Sequence, residues 1–305
     1  MAGKQAEAIG KLVVIGVGLI GGSVACGARQ RRLCQETIGV VRDAETARLA
    51  VEAGVVDRAC LNIEEVAPKL GEGDLVMVAV PTLAVEEVLR QLQVCLSSEV
   101  TVTDGASVKG SVAEAARRVY GLLPAQLVLG HPIAGSEKSG VSAANPNLYV
   151  DHRVILTPTA ETGAGHLARV RQLWQGLEAE VVDMPIAEHD DVLGATSHLP
   201  HAIAYSLVDT LAHDIDNPNI FRYAAGGFRD FTRIASSDPV MWHDIMKANR
   251  HAVVHSLDQF MDNLTRLRAA IERSDGDYLL QMFTRAKTAR DCYTRLSSPN
   301  DETPE

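Results

Sequence analysis

Lys11-Leu-Val-Val-Ile-Gly16-Val-Gly18-Leu-Ile-Gly21-Gly-Ser23 is the stretch of sequence that decides the fold. Its apolar first half is typical of a buried strand, and the glycines that follow indicate a tight turn into a helix. Gly16 permits the turn, Gly18 lets the backbone approach a phosphate, and Gly21 lets the helix lie close to the strand. Because the start of a helix also presents free N–H groups to an anion, the stretch predicts a dinucleotide-binding turn.

Three glycines at this spacing also occur in ordinary glycine-rich loops. Here the strand-like residues before them and the helix-compatible Ser23-Val-Ala-Cys-Gly-Ala-Arg29 after them supply the context that a dinucleotide site requires. We therefore favour the dinucleotide site over the plain loop.

Composition limits the classes of function. The chain has 305 residues, 46% of them hydrophobic, which is enough for two domains with a sizeable core. A net charge of -10 makes general affinity for nucleic acid or anionic membranes unexpected. With no membrane-length apolar stretch and no signal-like N-terminus, a cytoplasmic location is expected. Five cysteines without a CxxC pair predict reduced thiols rather than disulfides or a zinc site.

Short β-type runs alternate with helical periodicity in the first half of the chain, whereas long helical segments dominate after about Pro185. This pattern predicts an α/β Rossmann-type N-terminal domain, residues 1–184, and an all-α C-terminal domain, residues 185–305, that supplies a homodimer interface. The predicted strands are Leu12–Ile15, Thr37–Val41, Leu75–Val80, Val100–Thr103, Leu127–Leu129, Val154–Thr157 and Glu180–Val182. The predicted helices include Ala44–Ala53, Ile63–Leu70, Leu83–Leu96, Glu188–Ala212 and Pro239–Glu272.

The end of the second strand bears on which dinucleotide binds. In folds of this type an acidic side chain about 20 residues after the glycines binds the adenosine ribose. Counted from Gly21, Val41 occupies that position and Arg42 follows it, which favours NADP because its 2′-phosphate then meets a cation. If the strand ends one or two residues later, Asp43 becomes the ribose ligand and NAD is favoured. A third alternative is that Arg42 and Asp43 form a solvated turn.

Polar side chains gather in three segments with apolar or glycine-rich surroundings, residues 103–110, 130–140 and 196–201. The first two directly follow predicted strands, and open parallel sheets bind ligands at the carboxyl ends of their strands. His131 is the candidate general base, because imidazole transfers protons near neutral pH. Its alternative role is that of a loop histidine that fixes the turn before Pro132.

The helical half contains two further groups of polar candidates. His198 and His201 are predicted to share one helix face, but no acidic or cysteine partner at suitable spacing accompanies them, so no metal is expected. Arg229 and Arg233 offer planar forks to a carboxylate, or else pair with Asp230 and other surface acids. The predicted ligand is a small anionic molecule.

Taken together, these residues resemble the prephenate and arogenate (cyclohexadienyl) dehydrogenase family of tyrosine biosynthesis over about residues 11–293. Each motif alone is modest evidence for the family, whereas the whole set in this order along the chain is highly specific for it. The matching motifs are Gly-Val-Gly-Leu-Ile-Gly-Gly-Ser (16–23), Ala-Ser-Val-Lys (106–109), Gly-His-Pro-Ile-Ala-Gly-Ser-Glu-Lys-Ser-Gly (130–140), Ser-His-Leu-Pro-His (197–201) and Gly-Gly-Phe-Arg-Asp-Phe-Thr-Arg-Ile-Ala (226–235).

The resemblance implies an oxidative decarboxylation that needs no metal. A cyclohexadienol loses a hydride to the nicotinamide and CO2 from the opposite ring carbon, and the ring becomes aromatic. By the same resemblance, His131 takes the hydroxyl hydrogen bond, Ser107 orients that histidine and the substrate, and Arg233 clamps a substrate carboxylate.

The remaining site residues also follow from the resemblance. His198, His201 and Trp242 would line the substrate pocket. Glu137 and Asp230 would gate it across the dimer. The residues assigned to the cofactor are Gly16, Gly18, Leu19, Ile20, Gly21, Arg42, Pro81 and Thr82.

Several alternatives stay open at the level of sequence. Many prephenate-preferring relatives keep an aspartate where this chain has Val41, so NADP is expected with NAD as the alternative. Prephenate and arogenate differ only in a keto or amino group, and the sequence does not separate them. A β-hydroxyacid-type dehydrogenase would need a catalytic lysine in the helical half, where Lys247 is the only lysine before Lys287. A non-catalytic NADP-sensing protein would have no reason to keep His131, Ser107 and Arg233 together.

Overall fold

A six-stranded parallel sheet is the centre of the N-terminal part of the chain. The computed structural model describes residues 9–136, 138–213 and 220–297. Its strands are β1 (Ile9–Ile15), β2 (Cys34–Val40), β3 (Arg58–Cys60), β4 (Leu75–Val78), β5 (Thr101–Asp104) and β6 (Leu127–Val128). They lie in the order β3-β2-β1-β4-β5-β6, which confirms the Rossmann-type prediction. The order reverses between β1 and β4, and ligands bind such sheets at that crevice.

Four helices connect these strands and cover the sheet. They are α1 (Leu19–Gln30), α2 (Ala44–Glu52), α3 (Val85–Cys95) and α4 (Lys109–Tyr120). The strands are apolar along most of their length because helices cover both faces, and β4 is buried at every residue. This layered core fixes where each strand ends.

The glycine turn between β1 and α1 is shaped as the sequence predicts. Gly16 has a φ of +95°, and a Cβ there would lie 2.5 Å from the carbonyl oxygen of Ala79. At Gly21 a Cβ would lie 2.7 Å from Cγ1 of Val14, so only glycine lets α1 lie this close to β1. Gly18 differs, because no atom of the described chain lies within 4 Å of a Cβ built there. The space in front of the helix start is therefore open.

A second, three-stranded sheet adjoins the first. It consists of β7 (Gly130–Pro132), β8 (Arg153–Leu156) and β9 (Glu180–Asp183), with α5 (Ala164–Gly176) between β8 and β9. β7 pairs antiparallel with β8, and β8 pairs parallel with β9. His131 lies opposite Ile155 in the centre of β7, so a strand fixes its backbone. The alternative of a plain loop histidine is therefore wrong.

The helical half begins with a continuous run that contains a π-helical turn. α6 (Ile186–Leu193) leads through the π turn Gly194–His198 into α7 (Leu199–Ala212). Pro200 has no N–H to continue the regular ladder, and a Cβ at Gly194 would lie 2.8 Å from Cβ of Ala252. Both features favour a local widening of the helix, and such turns often occur at functional sites.

The remaining helices depart in part from the predicted pattern. They are α8 (Gly226–Thr232), α9 (Pro239–Ala248), α10 (Arg250–Glu272) and α11 (Gly276–Ser297). The single predicted helix Pro239–Glu272 is two helices that meet at Asn249, and Ile63–Leu70 is a pair of short 3-10 turns around Pro68. Two compact units divide between Val253 and Val254, the first with both sheets and the second with the end of α10 and α11.

We expect Gly21→Ala to lower the free energy of unfolding by about 1–3 kcal/mol, because the added methyl overpacks the contact between α1 and β1. The measurement is urea unfolding followed by circular dichroism. Gly71→Ala is the matched control, since nothing in the described chain lies within 4 Å of a Cβ at that position. Equal losses in the two variants would contradict the role of close packing at Gly21.

Candidate active site

The start of α1 has the form of an anion cradle. The first N–H that bonds within the helix is that of Gly22, to the carbonyl of Gly18 at 2.8 Å, so the N–H groups of Leu19 and Ile20 have no such partner. The first turn contains no acidic residue, and Gly18 leaves open space before it. These features fit a dinucleotide pyrophosphate.

Pro81 and Thr82 follow β4, the neighbour of β1, at the same sheet edge as this cradle. The 3-10 turn Thr82–Ala84 contacts α9 of the helical half. Residues predicted to hold the cofactor therefore lie together at the carboxyl ends of β1 and β4.

The segment after β2 contains the two charged groups considered for the ribose, Arg42 and Asp43. β2 ends at Val40, and Val41 is buried with its N–H bonded to the carbonyl of Cys60 at 3.0 Å. Asp43 caps α2, accepting hydrogen bonds from the N–H of Thr46 at 2.7 Å and from its hydroxyl at 2.9 Å. The N–H of Thr46 is the main cause that lowers the pKa of Asp43. Arg42 is exposed and pairs with no carboxylate of the described residues.

A buried ion pair holds the strand that contains His131. Lys109 and Asp104 are both fully buried, and the Lys109 ammonium donates to the Asp104 carboxylate and to the carbonyl of Gly130. The other oxygen of Asp104 accepts from the N–H of Gly130 at 3.3 Å. Burial lowers the pKa of Lys109, while the adjacent carboxylate opposes that shift. The residue before His131 is thus held through both its N–H and its carbonyl.

His131 begins a chain of three hydrogen-bonded side chains. Its Nδ1 lies 2.9 Å from Nε2 of His189, which is wholly buried on α6. Nδ1 of His189 lies 2.8 Å from Oδ1 of Asp190. The Nε2 atom of His131 bonds to no residue that the structure describes, so it is the nitrogen left for a ligand.

Asp190 is bound in turn to the start of α4. Its Oδ1 accepts from the N–H of Lys109 at 2.9 Å, and its Oδ2 accepts from the N–H of Gly110 at 2.8 Å. The N-cap residue Val108 has no side-chain oxygen, so the carboxylate of Asp190 supplies the cap from another helix. Burial alone would raise the pKa of Asp190. The hydrogen bonds from His189, Gly110 and Lys109 together outweigh burial, so the pKa is lowered.

Two histidines of the helical half, His198 and His201, have defined proton positions. The side-chain N–H2 of Asn249 donates to the carbonyl of Asp190 at 2.8 Å and to Nδ1 of His198 at 3.1 Å. His198 therefore carries its proton on Nε2. Nδ1 of His201 lies 2.9 Å from the carbonyl of Ser197, so His201 carries its proton on Nδ1.

Trp242 joins these histidines to the nucleotide-binding part. Its indole stacks on His201 at a centroid distance of 3.5 Å and meets the edge of His198 at 6.0 Å. It also packs against Val108, the neighbour of Ser107, in a small apolar cluster. Ser107 is half-buried, and its hydroxyl makes no hydrogen bond with the described residues, so its orienting role stays a prediction.

The arginine segment is exposed and unpaired. No carboxylate of the described residues pairs with Arg229 or Arg233, and Asp230 beside them is likewise exposed, so the alternative of surface ion pairs is not seen. Burial is the main cause that lowers the pKa of His201. Arg233 lies near enough for its positive charge to lower that pKa as well. Both arginines line a depression of about 410 Å³ together with Phe228. Glu137 lies outside the described residues.

Burial lowers the pKa of two histidines of the site, His131 and His198. Desolvation is the main cause that lowers the pKa of His131 well below its usual value, with the charges of His189, Lys109 and His198 adding to it. Desolvation also lowers the pKa of His198, to about 4. A neutral His131 at physiological pH has a free lone pair and can accept a proton.

The glycine turn and the strand of His131 lie next to each other. A Cβ at Gly105 would lie 3.1 Å from Cγ2 of Ile20 and 3.8 Å from Cδ of Pro132. The hydroxyl of Tyr149 also donates to the carbonyl of Ile20 at 2.7 Å. The arrangement places a proton acceptor beside a dinucleotide cradle, as a hydride-transfer site requires.

The sequence alone did not identify His189, Asp190 or Asn249 as site residues, and it assigned no role to Lys109. The sequence does contain one local indication of a buried ion pair. Lys109 follows Asp104 by five residues, in apolar or glycine-rich surroundings. The others carried no local signal, because His131 and His189 are 58 residues apart and meet only through packing of α6 on α4.

Two general features complete the description of the site. Within the described ranges, no group of three or more histidine, cysteine, aspartate or glutamate residues is arranged to hold a metal ion. None of the helices described is both long and apolar enough to cross a membrane.

Comparison with known proteins gives consistent matches. The family model of the prephenate dehydrogenase nucleotide-binding domain matches residues 24–183, and that of the prephenate dehydrogenase dimerization domain matches residues 185–285. Cyclohexadienyl dehydrogenase of Zymomonas mobilis is 37% identical over 289 residues, which cover 92% of this chain and 94% of that protein.

Solved structures show the same likeness. Prephenate dehydrogenase from Aquifex aeolicus, in complex with hydroxyphenyl propionate and NAD+, is 36% identical with a TM-score of 0.86, and the match covers 94% of this chain and 99% of that one. Synechocystis arogenate dehydrogenase is 30% identical with a TM-score of 0.77, over 93% and 99% of the two chains.

We expect the free energy of unfolding to fall by up to about 3 kcal/mol between pH 6.5 and pH 4 on account of His198. Its pKa is about 4 in the folded protein and about 6.5 when unfolded, so within this window the unfolded chain binds more protons. The groups that face His198 are Asp190, His189, His201, Asn249 and Trp242.

Urea unfolding at several pH values measures this effect in the wild type and in His198→Asn. The asparagine oxygen can still accept from Asn249 but does not titrate, so its curve should fall less steeply while all other groups contribute equally. Parallel curves for the two proteins would contradict the assignment.

Proposed function

Because the chain belongs to the prephenate dehydrogenase family, we propose that it catalyses the NAD(P)-dependent oxidative decarboxylation of prephenate, arogenate or both in L-tyrosine biosynthesis. The observation that carries this proposal is the buried, neutral His131 with its free Nε2 next to the dinucleotide turn. The printed names of the relatives support both substrates, since they include cyclohexadienyl, prephenate and arogenate dehydrogenases.

His131 acts as the general base in this mechanism. A bound nicotinamide supplies the acceptor for the hydride that leaves the carbinol carbon. The hydride takes the electron pair of the C–H bond with it. Nε2 of His131 accepts the hydroxyl proton at the same time, and the carbinol carbon becomes a carbonyl carbon. The carboxylate of the ring then leaves as CO2, its bonding pair enters the ring, and His131 returns the proton to the phenolate oxygen. The product is a phenol, and no net proton is released from the hydroxyl.

Substrate carboxylates need cations at the edge of the pocket. Arg233 is free of protein carboxylates and lies close to His201, so we assign to it the carboxylate clamp. His198 presents an Nε2–H, and Trp242 has an indole N–H that is buried without a protein partner. Both can donate to oxygen atoms of the substrate. We retain Ser107 as a group that orients the substrate, and Glu137 and Asp230 as the gate.

For the cofactor we propose NADP, with NAD as the weaker ligand. Arg42 stands exposed and unpaired just after the buried Val41, whereas the carboxylate of Asp43 is engaged at the start of α2. Gly16, Gly18 and Gly21 with the N–H groups of Leu19 and Ile20 would hold the pyrophosphate, and Pro81 and Thr82 would lie along the nicotinamide half.

We also propose that the protein is a cytoplasmic homodimer with the domain boundary at residues 184 and 185. In support, the first family model ends at residue 183, and the second, which describes a dimerization domain, begins at residue 185. The second compact unit, taken by itself, exposes a set of large apolar side chains in α10 and α11, as a dimer interface would. They include Met261, Leu264, Ile271, Leu280 and Phe283.

The function is tested by mixing the protein with prephenate or arogenate, each with NAD or NADP, and following the absorbance of the reduced cofactor. We expect a rise with at least one substrate and a faster rise with NADP. Lys247→Ala is the control for the β-hydroxyacid alternative, which needs a catalytic lysine, and Lys247 is exposed on α9. No rise in any of the four mixtures would remove the proposed function.

We expect Arg42→Ala to weaken NADPH binding about 10- to 100-fold and to leave NADH binding nearly unchanged, because one charge-assisted contact to the 2′-phosphate is lost. Fluorescence titration of the reduced cofactors measures this without turnover. Asp43→Ser is the matched control, since serine keeps an oxygen for the helix cap. Unchanged NADPH affinity in Arg42→Ala, or loss of NADH affinity in Asp43→Ser, would favour Asp43 as the ribose ligand.

His131→Ala and Arg233→Ala should affect different kinetic constants. We expect His131→Ala to lower kcat by about 10²- to 10⁴-fold, the usual contribution of a general base, with little change in cofactor affinity. Arg233→Ala should raise the KM for substrate about 10- to 100-fold. Steady-state kinetics with cofactor titrations measure both. Similar losses of cofactor affinity in the two variants would show that these roles are misassigned.

A further inference from the structure

We propose that His189 and Asp190 are positioning residues that fix the proton of His131 on Nδ1, so that Nε2 always meets the substrate as a bare lone pair. This inference rests on the proposed function, in which His131 is the base. It adds a role for two residues that lie outside the substrate and cofactor contacts.

The direction of the hydrogen bonds follows from the carboxylate at the end of the chain. Asp190 has a lowered pKa and accepts backbone N–H groups on both of its oxygens, so it is ionised and has no proton to donate. The 2.8 Å contact to Nδ1 of His189 therefore requires the proton to be on that nitrogen.

The same reasoning carries to the next ring. With one proton on its ring, held on Nδ1 by the carboxylate of Asp190, His189 has only a lone pair on Nε2. That lone pair lies 2.9 Å from Nδ1 of His131, so the hydrogen bond exists only if Nδ1 of His131 carries the proton. In the opposite tautomer of His131 two lone pairs would face each other in a dry interior, and Nε2 would present a proton to the substrate hydroxyl.

The surroundings of the pair are shaped for this arrangement. His189 is wholly buried, and its ring meets that of His131 edge to face with centroids 5.1 Å apart. A Cβ at residue 110 would lie 2.6 Å from Oδ2 of Asp190, so a glycine is needed where the carboxylate reaches the start of α4. Asn249 holds the backbone carbonyl of Asp190 at 2.8 Å. Asp190 is thus held through its carboxylate by the start of α4 and through its backbone carbonyl by Asn249.

The arrangement also supports the charge that forms on His131 during the reaction. When Nε2 takes the hydroxyl proton, the ring becomes an imidazolium whose Nδ1–H faces the lone pair of His189, and Asp190 lies behind it. In catalytic triads a carboxylate orients the base histidine directly, whereas here one more imidazole lies between the carboxylate and the base.

The direct test is the tautomer of His131 in the wild-type protein. The ¹⁵N chemical shifts of histidine side chains, with His131 identified by the signal missing in His131→Ala, show which ring nitrogen carries the proton. We expect a protonated Nδ1 and a bare Nε2 at pH 7.5. A proton on Nε2 would overturn the proposal. This measurement needs no turnover, so its outcome tests the tautomer of His131 independently of the proposed dehydrogenase activity.

Two variants of His189 provide the kinetic test. In His189→Gln the side-chain oxygen can accept from Nδ1 of His131 and the amide can donate to Asp190, whereas His189→Leu is of similar size and can do neither. We expect kcat to fall at least about a hundredfold in the leucine variant and to stay within about tenfold of the wild type in the glutamine variant. NADPH affinity, measured by fluorescence, should be unchanged in both.

A merely structural role for His189 predicts a different outcome. Both variants would then lose kcat equally, or in proportion to their loss of melting temperature, and that result would overturn the proposal. If the leucine variant does not fold, the wild-type tautomer and the retained kcat of the glutamine variant still decide the question.

Discussion

The carboxylate of Asp190 is the interaction on which the site depends. A partly buried carboxylate needs donors for its lone pairs, and Asp190 has three, the N–H groups of Lys109 and Gly110 and the imidazole of His189. The first two fix α6 on the start of α4, which lacks a cap of its own. The third sets the ring of His189, and through it the ring of His131. One charge therefore joins the helical half to the nucleotide-binding sheet and orients the proposed base.

A second buried pair holds His131 from the opposite side. Lys109 gives its backbone N–H to Asp190 and its ammonium to Asp104 and the carbonyl of Gly130. Breaking such a pair by removing one partner leaves an uncompensated buried charge, which costs about 3–5 kcal/mol. Lys109 therefore links the start of α4, the end of β5 and the strand of His131. This explains why the motif Ala-Ser-Val-Lys ends in a lysine although that lysine meets no solvent.

The parts of the fold that could be predicted are those whose causes are local. The turn at Gly16 and Gly21 depends on contacts with the adjoining strands, and the predicted end of the second strand at Val41 lies one residue beyond the observed end of β2 at Val40. The strands β3 and β7 were missed because three residues are too few to show alternation. The pairing of His131 with His189 was not predictable, because it depends on how α6 packs on α4 and leaves no period in the sequence.

In the proposed mechanism, the groups that move protons are separate from the groups that bind charge. His131 and His198 are buried, and burial keeps them neutral, so they can accept or donate hydrogen bonds without attracting counterions. Arg229 and Arg233 stay at the solvent edge, where a guanidinium retains its hydration until an anion replaces it. An unpaired arginine beside His131 would hold its pKa low but would oppose the imidazolium that the reaction forms there. The charge of Lys109 does lower the pKa of His131, but its ion pair with Asp104 balances that charge. In a chain with a net charge of -10, the proposed anionic substrate would therefore be attracted by the exposed arginines, while the proposed base lies in the buried interior.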